Sequence, residues 1–165
     1  MRSARALRAV TALLVLPGVV AGLCPAFLVA ADLHHGSGSP FGWALIVAGV
    51  VLLLWCAGDF FVSGKGTLAP WDPPKRLVIV GLYRLVRNPM YLAVLILLAG
   101  WIVVSGSWLV MWYTVVIALG FHLRVVWHEE AWLRRQFGAE WADYSGSVRR
   151  WIPRFRPWRG GRGEK

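Results

Sequence analysis

From Met90 to Leu123 the chain runs for 34 residues without a Lys, Arg, Asp or Glu, and this stretch limits the available folds more than any other feature. As one α-helix it would reach roughly 50 Å at about 1.5 Å per residue, well beyond the about 30 Å of hydrocarbon in a bilayer. It is expected to fold back at Ser105-Gly106-Ser107. Each arm then has about 15 to 17 residues, at the short limit for a span and suited to shallow tilt or local bilayer thinning. Two polar clusters, Tyr83 to Tyr91 and His128 to Leu133, flank the stretch. A membrane hairpin brings its ends together, and ionisable groups packed at a membrane boundary are costly enough that they are usually kept for a site.

Two more apolar runs precede the hairpin, so the sequence predicts an all-α integral membrane protein with about four transmembrane helices. The expected spans are 9–31, 41–62, 90–104 and 108–127 within a single domain, 1–165, and helix four extends into a cytoplasmic C-terminal helix. A chain that is 58% hydrophobic, with eleven Trp and only eight acidic residues, is excluded from the ordinary soluble domains. The net charge of +10 falls between and beyond the apolar runs instead of forming a stripe, so it reads as topology and not as a nucleic-acid surface. Arg2, Arg5 and Arg8 precede helix one; Lys65, Lys75, Arg76, Arg84 and Arg87 lie between helices two and three; the remainder, from Arg124 to Lys165, follow helix four. The opposite loops, Asp32 to Pro40 and Ser105 to Ser107, have no Lys or Arg. The positive-inside rule then puts both termini in the cytoplasm. The start MRSARALR, its apolar run and Val29-Ala30-Ala31 also have the form of a secretory signal, but the run exceeds a typical signal core and its loss would leave an odd number of spans.

Between helices two and three, Gly64, Gly66, Pro70, Pro73 and Pro74 favour an extended or turning path. Leu77 to Val80 is a short apolar run that is expected to pack on the helices or lie at headgroup level. At Asn88-Pro89, Pro suits the first turn of a helix and Asn the N-cap before it, so helix three is expected to begin there. Its first N–H groups, with Arg87 beside them, can receive a carboxylate; alternatively Arg87 snorkels to phosphate headgroups. Tyr83 and Tyr91 flank this junction as interface anchors or ligand platforms. Cys24 and Cys56 lie inside the first two apolar runs with no companions at metal-ligand spacing and read as small buried thiols. Gly49, Ala57 and Gly58 permit close helix packing within the chain or between chains.

Helix four is expected to leave the bilayer, pass His128 and stop near Gly138. Helical spacing puts Glu129 on a face with Val125, Trp132 and Leu133, whereas Glu130 stands four residues before Arg134, the favourable order for an exposed ion pair. Glu129 therefore needs another partner, an Arg of the 63–88 loop or a cationic ligand. His128 either donates a hydrogen bond or simply sits at the interface. His34 and His35 have no acidic or Cys companions, and no metal site is expected. The tail from Arg154 to Lys165 reads as a membrane-surface segment attracted to anionic lipid.

The order Gly81-x-Tyr83, Arg87-Asn88-Pro89-x-Tyr91, an apolar hairpin, Glu129-Glu130-x-x-Leu133, Phe137-Gly138, Tyr144 and Ile152-Pro153 resembles the isoprenylcysteine carboxyl methyltransferase family and the related phospholipid methyltransferases. The similarity covers roughly Gly66 to Pro153. It implies a membrane enzyme using S-adenosylmethionine, here a bacterial-type member of the inner (plasma) membrane. It also implies cofactor contacts from Leu77, Val78, Tyr83, Asn88, Pro89, Met90, Tyr91 and Glu129, with Glu130 completing the Glu-Glu motif. Eukaryotic prenylcysteine enzymes have Arg-His-Pro where this chain has Arg87-Asn88-Pro89. They also place a substrate-orienting Arg at the position of Val125; Arg124 stands next to it.

The residues suit that implication. The methionine part of the cofactor is zwitterionic, and the cytoplasmic site formed by 66–91 and 124–153 offers a helix N-terminus with Arg87 for its carboxylate and Glu129 for its ammonium. Methyl transfer is an in-line displacement that chiefly needs positioning. A carboxylate or thiolate acceptor is already nucleophilic, whereas an amine must first lose a proton, to His128 or Glu129. The expected function is methyl transfer to an amphiphilic or lipid-like acceptor entering from the bilayer. The alternatives are a nicotinamide-dependent membrane reductase and a noncatalytic lipid-binding or scaffold protein.

Overall fold

The computed structural model describes residues 17–33, 36–64 and 76–160. The basic residues Arg2, Arg5, Arg8, Lys65 and Lys75, the turn-formers Gly66, Pro70, Pro73 and Pro74, and His34 and His35 lie outside the described residues. Among those described, all regular structure is helical. Helix α1 covers Val19–Ala31, opening with a π-helical turn over Val19–Leu23. Helix α2 is Phe41–Gly64, α3 is Pro89–Ser105 and α4 is Trp108–Arg124. A second π-helical turn, Val125–Glu129, joins α4 directly to α5, Glu130–Ser147.

The fold-back falls where the long apolar stretch predicts it. Gly106 caps α3 in the left-handed region at φ 61°, and its N–H bonds to the Ile102 carbonyl at 2.8 Å, a conformation that glycine adopts without a Cβ penalty. Ser107 then caps α4 by accepting from the Val110 N–H at 3.4 Å and donates its own proton to the buried Asp32 carboxylate. The Ser107 N–H is taken by Ser105 Oγ at 3.2 Å. Three short polar side chains thus satisfy the turn and tie it to the end of α1.

Helix α3 is the centre of the bundle. Ala93, Val94, Leu97 and Leu98 are buried, packed with Leu53 of α2 and Ala21 of α1, and its most extensive partner is α2. The two backbones nearly touch. A Cβ on Gly49 would stand 2.8 Å from Leu97 Cβ, and one on Gly100 would stand 2.7 Å from Ile46 Cγ1 and 2.8 Å from the Gly42 carbonyl. Close approach of small residues is how apolar helices gain dispersion contact when lipid is as apolar as the side chains. Gly49 is therefore spent within the chain, whereas Gly58 faces open space. Helix α1 is held differently: Trp101 Nε1 donates to the Ala21 carbonyl at 3.0 Å and the Tyr113 hydroxyl to the Val20 carbonyl at 2.8 Å. Both acceptors lie in the first π-helical turn, where the changed ladder leaves carbonyls in need of donors.

The outer surface is apolar. Trp43, Val47, Val51, Leu54 and Trp55 on α2, and Trp108, Trp112, Val116 and Leu119 on α4, are exposed, the inverse of a soluble protein and the arrangement lipid requires. Phe41–Ser63 and Trp108–Ser147 are each long and apolar enough to cross a membrane, with Val19–Ala31 and Pro89–Ser105 as shorter apolar helices. The 17 residues of α3 rise about 26 Å. The C-terminal helix runs on past its expected end: Gly138 breaks it with φ 48° and ψ −116°, and the helix resumes to Ser147. Glycine tolerates the kink, and Trp141 and Tyr144 beyond it are buried, so packing reinstates the helix.

Packing at Gly100 and the openness at Gly58 make opposite predictions. Gly100→Leu should lower the thermal midpoint in detergent by roughly 5 °C or more, through overpacking of about 1–3 kcal/mol. Gly58→Leu should leave it within about 2 °C. Equal midpoints for the two variants would contradict the α2–α3 contact.

Candidate functional site

The polar end of the bundle is built by a short turn and a C-terminal strap. Gly81, at φ 51°, starts a 3-10 turn over Gly81–Arg84. Ahead of it, the extended Leu77-to-Val80 run alternates: Leu77 and Ile79 pack against Trp141, Tyr144 and Val148, while Val78 and Val80 pack with Cys56 and Tyr83 on the side of α2. That is the period-two pattern of an extended chain between two apolar surfaces. Residues 149–158 then run back along the turn: Arg87 N–H donates to the Arg149 carbonyl at 3.0 Å, Arg154 N–H to Leu85 at 2.9 Å and Trp158 N–H to Arg84 at 2.9 Å. Arg84 Nε returns a bond to the Trp158 carbonyl at 2.7 Å, and the Tyr144 hydroxyl donates to the Tyr83 carbonyl at 2.6 Å.

Glu130 locks strap, turn and helix together. Arg150 grips it with two bonds, Nε to Oε1 at 2.7 Å and Nη2 to Oε2 at 2.8 Å, while Arg87 Nη1 lies 3.3 Å from Oε1 and its guanidinium stacks over Trp141 at 5.5 Å. The exposed Glu130–Arg134 pair expected from helical spacing is not what forms. Glu130 is 9% exposed, because α5 turns this face toward the strap, and buried charge takes the nearest fork-shaped partner. Burial pushes the Glu130 carboxyl up, but Arg150 and Arg87 outweigh it and hold it below its ordinary value. Burial lowers Arg87 from its usual range despite Glu130. Arg87 thus faces a carboxylate of the protein itself through Nη1, while its Nε is buried with no hydrogen-bond partner among the described residues.

Glu129 belongs to a second, more open group. It accepts from the Tyr91 hydroxyl and from Arg124 Nε at 2.8 Å, and its side chain is 28% exposed. Arg124 and Glu129 are five residues apart, a separation that an ordinary α-helix places on different faces. The π-helical turn Val125–Glu129 restores the match, because five residues complete about one turn of such a helix, and this brings in the Arg124 that looked one residue out of register. The Tyr91 ring packs on Phe121 at 4.4 Å and near Trp151 at 6.4 Å, and Trp151 Nε1 donates to His122 Nδ1 at 3.2 Å.

The remaining expected residues are distributed around these two groups. Pro89 opens α3 as foreseen, but Asn88 makes no side-chain cap; its amide donates to the Arg150 carbonyl at 3.2 Å. Met90 bridges the Tyr83 cluster and the core around α3. Val78 and Tyr83 are buried beside Cys56, whereas Leu77 lies in the separate Trp141 cluster. His128 is exposed. Arg150, Trp151 and Phe121 were not singled out from sequence: Arg150 and Trp151 look like part of a basic tail and Phe121 like span filler until the strap folds back.

Glu130 has a measurable signature. Since its folded pKa is lowered, its stabilising contribution is present above the ordinary value of 4.5 and lost as pH falls through the lower folded value. Wild-type thermal stability in detergent should therefore drop below about pH 4.5, and Glu130→Gln should flatten that part of the profile. At pH 7 the same variant should cost about 3 kcal/mol, since Arg87 and Arg150 are left without their counter-charge.

Comparison with protein families gives a match to the phospholipid methyltransferase family over residues 38–140. That range holds α2, the Gly81-x-Tyr83 turn, Arg87-Asn88-Pro89, the α3–α4 hairpin and both Glu129 and Glu130. Neither the curated proteins nor the solved structures include a match. With more than half the chain matched, the chain belongs to the phospholipid methyltransferase family and is a membrane protein of methyltransferase type.

Proposed function

We propose that this protein transfers a methyl group from S-adenosylmethionine to an amphiphilic or lipid-like acceptor, a carboxylate, thiol or amine, at the cytoplasmic face of the bacterial inner membrane. The observation that carries the reading is Glu129. It is a partly open carboxylate fixed by Tyr91 and Arg124 beside the first turn of α3. The donor set fits the cofactor. Glu129 can accept from its ammonium, first-turn N–H groups of α3 can receive its carboxylate, and Tyr91, Phe121 and Trp151 present aromatic faces suited to a sulfonium or a purine. When bound, S-adenosylmethionine supplies an electrophilic methyl on a positively charged sulfur. The protein's part is to hold that methyl in line with the acceptor and to exclude water, a task in which positioning dominates. Tyr91 and Arg124 keep Glu129 in one orientation, and the Glu130–Arg87–Arg150 group keeps the strap closed over the turn.

Four crossings, α1 to α4, with both termini cytoplasmic are the arrangement we favour. Arg84, Arg87, Arg124 and the basic strap gather at the end that carries Glu129, while the end formed by Asp32 and Ser105-Gly106-Ser107 has no Lys or Arg. Exposed apolar faces on α2 and α4 give an acceptor with an acyl or prenyl chain a lateral route from lipid.

Calorimetry on detergent-purified protein tests this directly. S-adenosylmethionine and S-adenosylhomocysteine should bind at micromolar concentration, and Glu129→Ala and Asn88→Ala should each weaken binding by tenfold or more with the protein still folded. Retained affinity in both variants would move the site elsewhere, and absence of binding by folded wild type would return the protein to the scaffold or reductase reading.

A further inference from the structure

Helix α2 carries a single acidic or basic side chain between Phe41 and Gly64, Asp59, and the two groups described above make no use of it. A lone carboxylate near the end of an apolar helix is expensive unless something meets it. Among the described residues nothing does so at one of its oxygens: Asp59 Oδ2 is buried and has no hydrogen-bond partner. The oxygen is held against the Gly81 turn, where a Cβ would stand 2.0 Å from Oδ2 and 3.1 Å from Asp59 Cγ. Gly81 therefore serves two purposes: its positive φ starts the turn, and its missing side chain leaves the carboxylate its place.

The surroundings point to one kind of ligand. One helical turn back from Asp59 is Cys56, which packs with Val78 and Tyr83, with Phe60, Val80, Leu82 and Met90 around them. Val78, Tyr83 and Met90 are among the residues expected to touch the cofactor. Tyr83 shares this cluster with Cys56, one helical turn from Asp59, and Met90, the neighbour of Tyr91, packs against it. A buried apolar cluster with one unmet acceptor at its edge suits a neutral donor better than a solvated one, and carboxylates commonly accept from ribose hydroxyls. The cofactor's ammonium is assigned to Glu129 in the reading above, so its ribose hydroxyls are donors that remain for a second carboxylate.

We infer that Asp59 is a ligand-binding residue that accepts a hydrogen bond from the ribose of the cofactor, with the nucleoside beside the Cys56–Val78–Tyr83 cluster and the methionine end at Glu129. This rests on the methyl-transfer reading. Gly81 is then a positioning residue whose task is to keep Asp59 in reach.

Calorimetric binding of S-adenosylhomocysteine and of its 2′,3′-dideoxyribose analogue to wild type and to Asp59→Asn, with melting curves for both proteins, tests the assignment. Wild type should bind the dideoxy compound at least tenfold more weakly than S-adenosylhomocysteine. Asp59→Asn, melting near wild type, should lose about as much affinity for S-adenosylhomocysteine and discriminate little between the two. Equal binding of the two compounds by wild type overturns the inference even if the variant fails to fold. So does an Asp59→Asn protein that keeps full affinity, or one that loses affinity yet still discriminates. Wild type that binds neither compound sinks the underlying methyl-transfer reading instead, which separates the two failures.

Discussion

A carboxylate taken out of water has to be paired, and the polar end of this protein is organised around the pairing of Glu130. Arg87 comes from the turn before α3 and Arg150 from the strap after α5, so three segments distant in sequence meet on one residue. Neither arginine is spare: Arg87 is also stacked on Trp141, and the Arg150 carbonyl holds Asn88 at the threshold of α3. The backbone bonds between 84–87 and 149–158 follow from that meeting. They fix the start of α3, hence Tyr91, hence Glu129. The two adjacent acids are unequal for this reason: Glu130 is consumed in construction, and Glu129, one residue earlier, is left partly open.

In lipid the hydrophobic effect does little to bring helices together, and other forces divide the work. Between α2 and α3 it is backbone proximity, made possible by Gly42, Gly49 and Gly100. Between α1 and the hairpin it is hydrogen bonding from Trp101 and Tyr113 to carbonyls of a π-helical turn. At the tip of the hairpin it is Asp32 and Ser107. A helix as short as α3 gains from this arrangement, because it is surrounded by protein along much of its length and need not match the bilayer unaided.

The features that were legible in the sequence are those set by length and by local backbone chemistry. A charge-free run too long to cross once must turn, and Ser105-Gly106-Ser107 holds the residues a turn uses. Pro89 can open a helix and does so. What depends on the third dimension was not legible. The periodicity of an α-helix assigned Glu130 to Arg134 and left Arg124 off the Glu129 face, and both follow correctly from 3.6 residues per turn. The first is overruled by a strap that returns from twenty residues downstream, and the second by a local change of helical period. Asp59 gives no signal within its apolar run, since its contact is with Gly81, across a segment that sequence reads only as loop. The family resemblance read from the motifs was sound, and the match over residues 38–140 agrees with it; the strap residues Arg150, Trp151 and Trp158 fall beyond that range.

The π-helical turn at Val125–Glu129 explains how one continuous helix serves two environments. Below it, α4 shows lipid an apolar face and needs no polar partners. Above it, α5 must aim Glu130 at the strap, while Trp141 and Tyr144 lie past the break at Gly138, which sets their phase separately. A straight α-helix has one fixed phase and could satisfy only one of these demands. One residue beyond the regular repeat rotates everything that follows, by roughly 100° on the 3.6-residue period, and the rotation falls just before the acids. The Arg124–Glu129 bond spans the turn and closes it with charge. An ion pair in that position joins the two ends of the rarer helical form, and the regular repeat in its place would rotate Glu130 out of line with Arg87 and Arg150.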